Sequence, residues 1–257
     1  MTRGFGLDAG VPHAVALEVA RLAEQSGYGS FWVNGSPHDA ALAIVESVLD
    51  ETGLDVGVGV FPLPKIGADR LVEETRNRSL PQTRLWLGVG SGRRPGALAE
   101  VREAVRVFRT ELDVHVVTGA VGPKMMALAG EVADAVILTW SFVDEVRSAR
   151  TILERSAAES GREPPPVISF IRCGLLPQAE DAVEKRVEVY QGIPHYRAVF
   201  DRHGVTARDT VVTGANRQEL VAGIEREEAV LDMPVIRAIP SADTVEALGE
   251  LVVACAP

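Results

Sequence analysis

Cysteine is scarce in this chain: only Cys173 and Cys255 occur in 257 residues. They lie far apart without a CxxC spacing, which argues against a disulfide framework and a zinc site. Two isolated thiols fit a reducing compartment, so the cytoplasm is the expectation. No run reaches the roughly 18 consecutive apolar residues of a membrane span. The first ten residues have no charged stretch followed by an apolar one, so neither export nor insertion is expected. Basic residues are also few, 26 Lys and Arg against 36 Asp and Glu, for a net charge of −10. A surface of that sign disfavours nucleic acid and anionic membrane. A small molecule is then the expected partner, any anionic part of it must be held by local groups, and a homodimer is compatible with this picture. Only three lysines occur, Lys65, Lys124 and Lys185. None falls in a predicted strand, which argues against a Schiff-base enzyme, and the histidines show no ligand spacing, so no metal is expected.

What the chain does have is apolar residues, 46% against 24% charged, the composition of a chain that must bury a core. Short β-rich runs are predicted at 4–7, 30–33, 55–60, 84–89, 113–117, 135–139, 167–173 and 233–239, each bounded by Gly, Pro, Asn or Asp. Between them apolar residues recur at three and four, as in Val15, Val19 and Leu22, or Val101, Val105 and Phe108, the helical period. Helices are predicted at 14–25, 39–49, 68–76, 97–112, 124–132, 143–160, 180–191 and 217–231. Eight βα units at about 32 residues each match the usual length of a (β/α)8 TIM barrel, with a doubly wound open sheet as the alternative. No linker divides the chain, so one domain over 1–257 is expected. The segment 191–213 is the least regular and reads as an extra helix or a lid over the barrel mouth.

In such a barrel chemistry belongs at the C-terminal ends of the strands. Two of those ends are rich in small residues: Gly88-Val89-Gly90-Ser91-Gly92, and Thr118-Gly119-Ala120-Val121-Gly122-Pro123-Lys124. Missing side chains let backbone N–H groups approach an anion or a flat ring. Neither loop is a GxGxxG fingerprint or a Walker motif, and a tight turn without a ligand explains the first equally well. The second opens onto a helix N-terminus, where partial positive charge favours an anion. Lys124 there either faces a bound anion or is a solvated surface residue. Arg172 and Arg237 fall in the last two strands; they point either into the barrel toward an anion or outward to a helix carboxylate. Trp140 walls a pocket or merely caps the barrel.

The strings Arg84–Gly92 and Gly122–Trp140 (GPKMMALAGEVADAVILTW) resemble the luciferase-like oxidoreductase family, in its branch that uses coenzyme F420, a deazaflavin. The N-terminal order Gly4-Phe5-Gly6-Leu7, then Ser26-Gly27-Tyr28-Gly29-Ser30, then Val56-Gly57-Val58-Gly59-Val60 is similar too. The likeness is good over about 1–150 and looser beyond, and the chain is shorter than most members. It implies a hydride-transferring oxidoreductase with F420; FMN is the alternative cofactor, that of a monooxygenase. A noncatalytic flavin-binding barrel and an unrelated barrel that grips a substrate phosphate compete with this reading. The resemblance further implies a non-prolyl cis peptide at Gly59–Val60 against the ring, ring-edge contacts from Gly90, Ser91 and Gly92, and a tail site at Thr118, Gly119, Ala120, Gly122, Lys124 and Thr139. The family's histidine after the second strand is displaced here. His38 is then the candidate acid or base, its ordinary pKa near 6.5 suiting proton transfer, or simply a first-turn residue. Asn34, directly after the strand, is the other catalytic candidate.

Overall fold

Strands and helices alternate along the chain as the hydrophobic pattern requires. The computed structural model describes residues 3–257. In order they are β1 (Gly4–Leu7), α1 (His13–Gln25), β2 (Ser30–Val33), α2 (His38–Glu51), β3 (Asp55–Pro62), α3 (Leu63–Ile66), α4 (Ala68–Asn77), β4 (Leu85–Gly90), α5 (Ala97–Glu111), β5 (His115–Gly119) and α6 (Pro123–Val132). Then follow β6 (Ala135–Thr139), α7 (Val143–Glu159), β7 (Val167–Leu175), α8 (Glu180–Gln191), α9 (Pro194–His203), β8 (Val211–Gly214), α10 (Arg217–Glu228), β9 (Met233–Ala238) and α11 (Val245–Ala254). Every pairing is parallel. Strands β1 to β7 run in sequence order, and β9 closes the ring by pairing with both β7 and β1. The fold is a (β/α)8 barrel.

Two elements besides the four-residue α3 lie outside the sequence expectation. The nine-residue β7 outruns β6: it pairs with β6 over Val167–Phe170 and, past that point, with β8 over Arg172–Leu175. An unpaired strand edge exposes N–H and C=O groups, and the four-residue β8 covers it. It falls where an irregular lid is expected; α9 supplies that extra helix. The second is α11, whose buried Leu248, Leu251 and Val252 form one apolar stripe and pack the chain end beside α1.

The barrel interior explains the glycines at alternate strand positions. Trp32, Trp86, Val117, Ala135, Ile137, Ile168, Phe170, Met233 and Val235 fill it. Indoles need room, and a Cβ placed on Gly57 would lie 2.3 Å from the Trp32 ring. At Gly88 it would lie 1.9 Å from the Val58 carbonyl oxygen, so β3 and β4 approach there only without a side chain. Interior packing tolerates no such overlap. The Ala133-Asp134-Ala135 signature also has a structural cause. Asp134 accepts the Val116 N–H at 2.9 Å and binds Arg109 at 2.7 Å. Asp232, just ahead of β9, repeats the device by accepting from Val167 N (2.8 Å) and Arg150 (2.9 Å). Each carboxylate satisfies an N–H at the start of a neighbouring strand, that of the second residue of β5 and of the first residue of β7.

Candidate active site

Alternation along each strand sends every second side chain inward, so the last inward positions define the barrel mouth. They are Asp8, Asn34, Gly59 with Val60, Gly90, Gly119, Thr139, Arg172 and Arg237. The ring divides into two arcs: β3 to β5 supply glycine, and β7, β9 and β1 supply charge.

On the glycine arc the β3–β4 register slips between Val58 and Phe61, which pair with Leu87 and Val89. Three steps on β3 match two on β4, the count of a β-bulge. Both Gly59 and Val60 thereby face inward. A Cβ on Gly59 would meet Ile137 and Phe170, while one on Gly90 or Gly119 would meet the Val60 methyls at 2.9 and 3.2 Å. Val60 therefore lies over these glycines, and all four residues remain partly exposed: a flat apolar floor open at the mouth. The Gly59–Val60 peptide is cis. Ser91, buried at the end of β4, has a hydroxyl with no partner among the described residues. Gly92 is exposed with φ 66°.

The remaining residues expected around the tail separate. Gly122 is the N-cap of α6, no side chain caps that helix, and no atom lies within 4 Å of a Cβ built on it. Thr139 lies at the mouth, where its hydroxyl accepts from Arg172 Nη2 at 2.7 Å. Thr118, by contrast, alternates outward and is fully buried, its hydroxyl without a partner among the described residues. Ala120 is buried in the α6–α7 layer. Lys124 is exposed in the first turn of α6. The Asn34 amide is occupied: its oxygen accepts the Ala9 N–H at 2.6 Å and its nitrogen donates to the Ser36 carbonyl at 2.9 Å, tying the loops after β1 and β2 together. His38 begins α2, partly exposed, with Nε2 3.3 Å from Asp39 Oδ1.

On the charged arc Arg172 and Arg237 point inward, not toward the helices. Arg237 pairs with Asp8 at 2.7 Å, and Arg186 of α8 reaches the same carboxylate at 3.0 Å. Burial would raise Asp8, but the Arg237 and Arg186 charges outweigh it and hold the carboxyl below its usual range. Burial, with Arg237 beside it, pulls Arg172 down to about 10; it still carries its proton at neutral pH. Trp140, at the end of β6, has φ 56°, a region that costs a non-glycine residue about 1–3 kcal/mol and so gathers at functional sites. This turn sets its ring 4.2 Å from the Arg172 guanidinium carbon. Tyr190 of α8 stacks on Trp140 at 4.4 Å, and Tyr196 of α9 follows at 5.3 Å, so α8 and α9 cover this half of the mouth. Burial raises Tyr196 to about 12, leaving it a neutral donor. Arg186, Tyr190 and Tyr196 carry no sequence signal of this role: Arg186 stands 178 positions from Asp8.

Residues 83–239, more than half of the chain, match the family model of the luciferase-like monooxygenases. The protein belongs to this family and is an oxidoreductase of its barrel class. A 5,10-methylenetetrahydromethanopterin reductase of Methanolobus tindarius is 24% identical over 247 residues, with 78% of this chain and 75% of that one covered. Among solved structures, the coenzyme F420-dependent tetrahydromethanopterin reductase of Methanopyrus kandleri superposes with a TM-score of 0.75 at 17% identity, covering 98% of this chain and 97% of that one. An F420-dependent secondary alcohol dehydrogenase in complex with an F420–acetone adduct gives 0.73 at 19% identity, with 99% of each chain covered.

Proposed function

We propose that this protein is a coenzyme F420-dependent oxidoreductase acting on a small organic substrate. The observation that carries the reading is the bulged floor of Gly59 and Val60 lying over Gly90 and Gly119, a flat apolar surface that fits one face of a fused ring. The unpartnered Ser91 hydroxyl at its edge and the uncapped α6 N-terminus at Gly122 fit the ring rim and an anionic tail. F420, when bound, supplies a hydride from or to its C5 carbon; that chemistry belongs to the cofactor. The chain does the rest. Val60 sets the height of the ring face, and the glycines of β4 and β5 leave no side chain to lift it. The positive end of α6 at Gly122, with the exposed charge of Lys124 in its first turn, holds the tail. His38 is assigned proton transfer beside the ring. Asn34 positions the β1 and β2 loops, both ends of its amide being in use.

Titration of the purified protein with F420 and, separately, FMN, followed by cofactor fluorescence, tests this reading. Tight F420 and weak FMN binding is the expected result. Preference for FMN moves the protein to the monooxygenase chemistry of the family name, and binding of neither overturns the cofactor site. Gly119→Asp places a carboxylate in the apolar floor against the Val60 methyls, so F420 affinity is expected to fall about tenfold or more; unchanged affinity removes Gly119 from the site.

A further inference from the structure

We infer that Arg172 and Arg237 form an oxyanion subsite that holds a carboxylate or phosphate group of the substrate; the substrate assignment rests on the F420 reading above. The two residues are directly opposed on β7 and β9, and both are more than nine-tenths buried. Like charges opposite each other on adjacent strands repel, and buried guanidinium donors without partners are costly. A purely structural pair would be matched with carboxylates. Here Arg186 and Arg237 share one carboxylate, Asp8, and Arg172 has only the neutral Thr139 hydroxyl, in a chain with ten more acids than bases. The deficit is local and specific: Arg172 Nη1 and Arg237 Nη1 have no hydrogen-bond partner among the described residues.

What steadies these groups points the same way. Arg172 lies over Trp140 at 4.2 Å and within 5.5 Å of Tyr190, and Arg237 lies 5.7 Å from Phe170. Aromatic faces hold a guanidinium by its plane and leave its in-plane N–H edge free, which is the edge that an oxyanion takes. The arginines occupy the arc opposite the Val60 floor, so an anion on them sits across the mouth from the ring surface. That position suits a substrate and not the ring-bearing cofactor. Tyr190 lies over Arg172 and Tyr196 packs on Tyr190, so α8 and α9 wall this side of the mouth.

Thermal unfolding of the protein in inorganic phosphate or acetate, against chloride at equal ionic strength, with and without F420, tests the inference. An oxyanion that binds only the native state raises Tm, and the expected rise occurs equally in the F420-loaded protein. Arg237→Met and Arg172→Met are expected to weaken the anion effect about tenfold or more. Asp8→Asn removes the one competing carboxylate and is expected to strengthen it. General destabilisation cannot produce opposite signs at adjoining residues, and Asp8→Asn keeps the test open should the arginine variants not fold. No rise with either anion, or weakening in Asp8→Asn, overturns the subsite. Displacement of F420 by phosphate overturns the substrate assignment, because the arginines then serve the cofactor. Anion binding without any F420 binding leaves the subsite standing and removes the cofactor reading instead.

Discussion

His38 and Gly57 show how differently single residues act in this barrel. His38 is partly exposed at the start of α2, with Asp39 as its polar partner, and it is not part of the buried core. His38→Ala is expected to leave F420 affinity and Tm unchanged and to lower turnover about 100-fold or more if it moves the proton; unchanged kcat would assign the step elsewhere. Gly57 is the reverse case, remote from chemistry and packed to contact. The Cβ of Gly57→Ala would lie 2.3 Å from the Trp32 ring, and Trp32 is itself wedged against Trp86 and Phe170. Overpacking of this kind costs about 1–3 kcal/mol, readable as a lower denaturation midpoint at constant slope. The glycines of β1, β3 and β4 are legible in the sequence as small-residue positions. Their cause is not: Trp32 and Phe170 press on the glycines of β1 and β3, and the bulged β3 backbone and Val60 press on those of β4, contacts between strands that only closure of the barrel brings together.

At the scale of elements, the barrel is stitched by carboxylates ahead of strands. Asp134 joins α5, β5 and β6 through Arg109 and the Val116 N–H. Asp134→Ala leaves a strand-edge donor unpaired and is expected to cost about 1–3 kcal/mol, whereas a merely surface ion pair would cost under about 1 kcal/mol. Chemical denaturation of Asp134→Ala beside Arg109→Ala separates the two: equal small losses would deny the carboxylate its role at the strand. In the sequence this motif is a signal of family resemblance, and the structure turns it into a hydrogen-bonding need. Eight helices and eight strands are legible from period and punctuation because each is long or sharply bounded. The strand β8 is not, since four residues, Val211–Gly214, have no pattern of their own and become a strand only against the free edge of β7. The helix α11 escapes the same reading because no following strand frames it.

For the molecule as a whole, two carboxyls, the half-buried Asp8 and the buried Glu145, shape the response to pH from opposite sides. Asp8, held low by Arg237 and Arg186, contributes stability that is present above the ordinary carboxylate range and lost as pH falls through its lowered value. Glu145, in the first turn of α7, is raised by burial to about 7 from an ordinary 4.5, against a weaker pull from Arg202. Its native state binds the proton more tightly than the unfolded chain does, so its contribution is full below 4.5 and lost as pH rises through about 7. Glu145→Gln removes that loss. Relative to the parent, the variant is expected to gain stability between about pH 5 and 8, by about 3 kcal/mol at most. Unfolding midpoints across that range check the sign; a constant difference would mean that Glu145 does not titrate there.

Period, composition and local motif are properties of neighbouring residues, and they suffice for the (β/α)8 plan, the acidic and cysteine-poor character, the family, and the small-residue loops after β4 and β5. What those loops face is a matter of folding. Closure of the barrel turns Arg172 and Arg237 inward, brings Asp8 to Arg186 across 178 positions, lays Val60 over Gly90 and Gly119, moves Thr118 and Ala120 behind the barrel wall, and occupies both ends of the Asn34 amide. Strand parity and register set these relations, and they exist only once β9 has met β1.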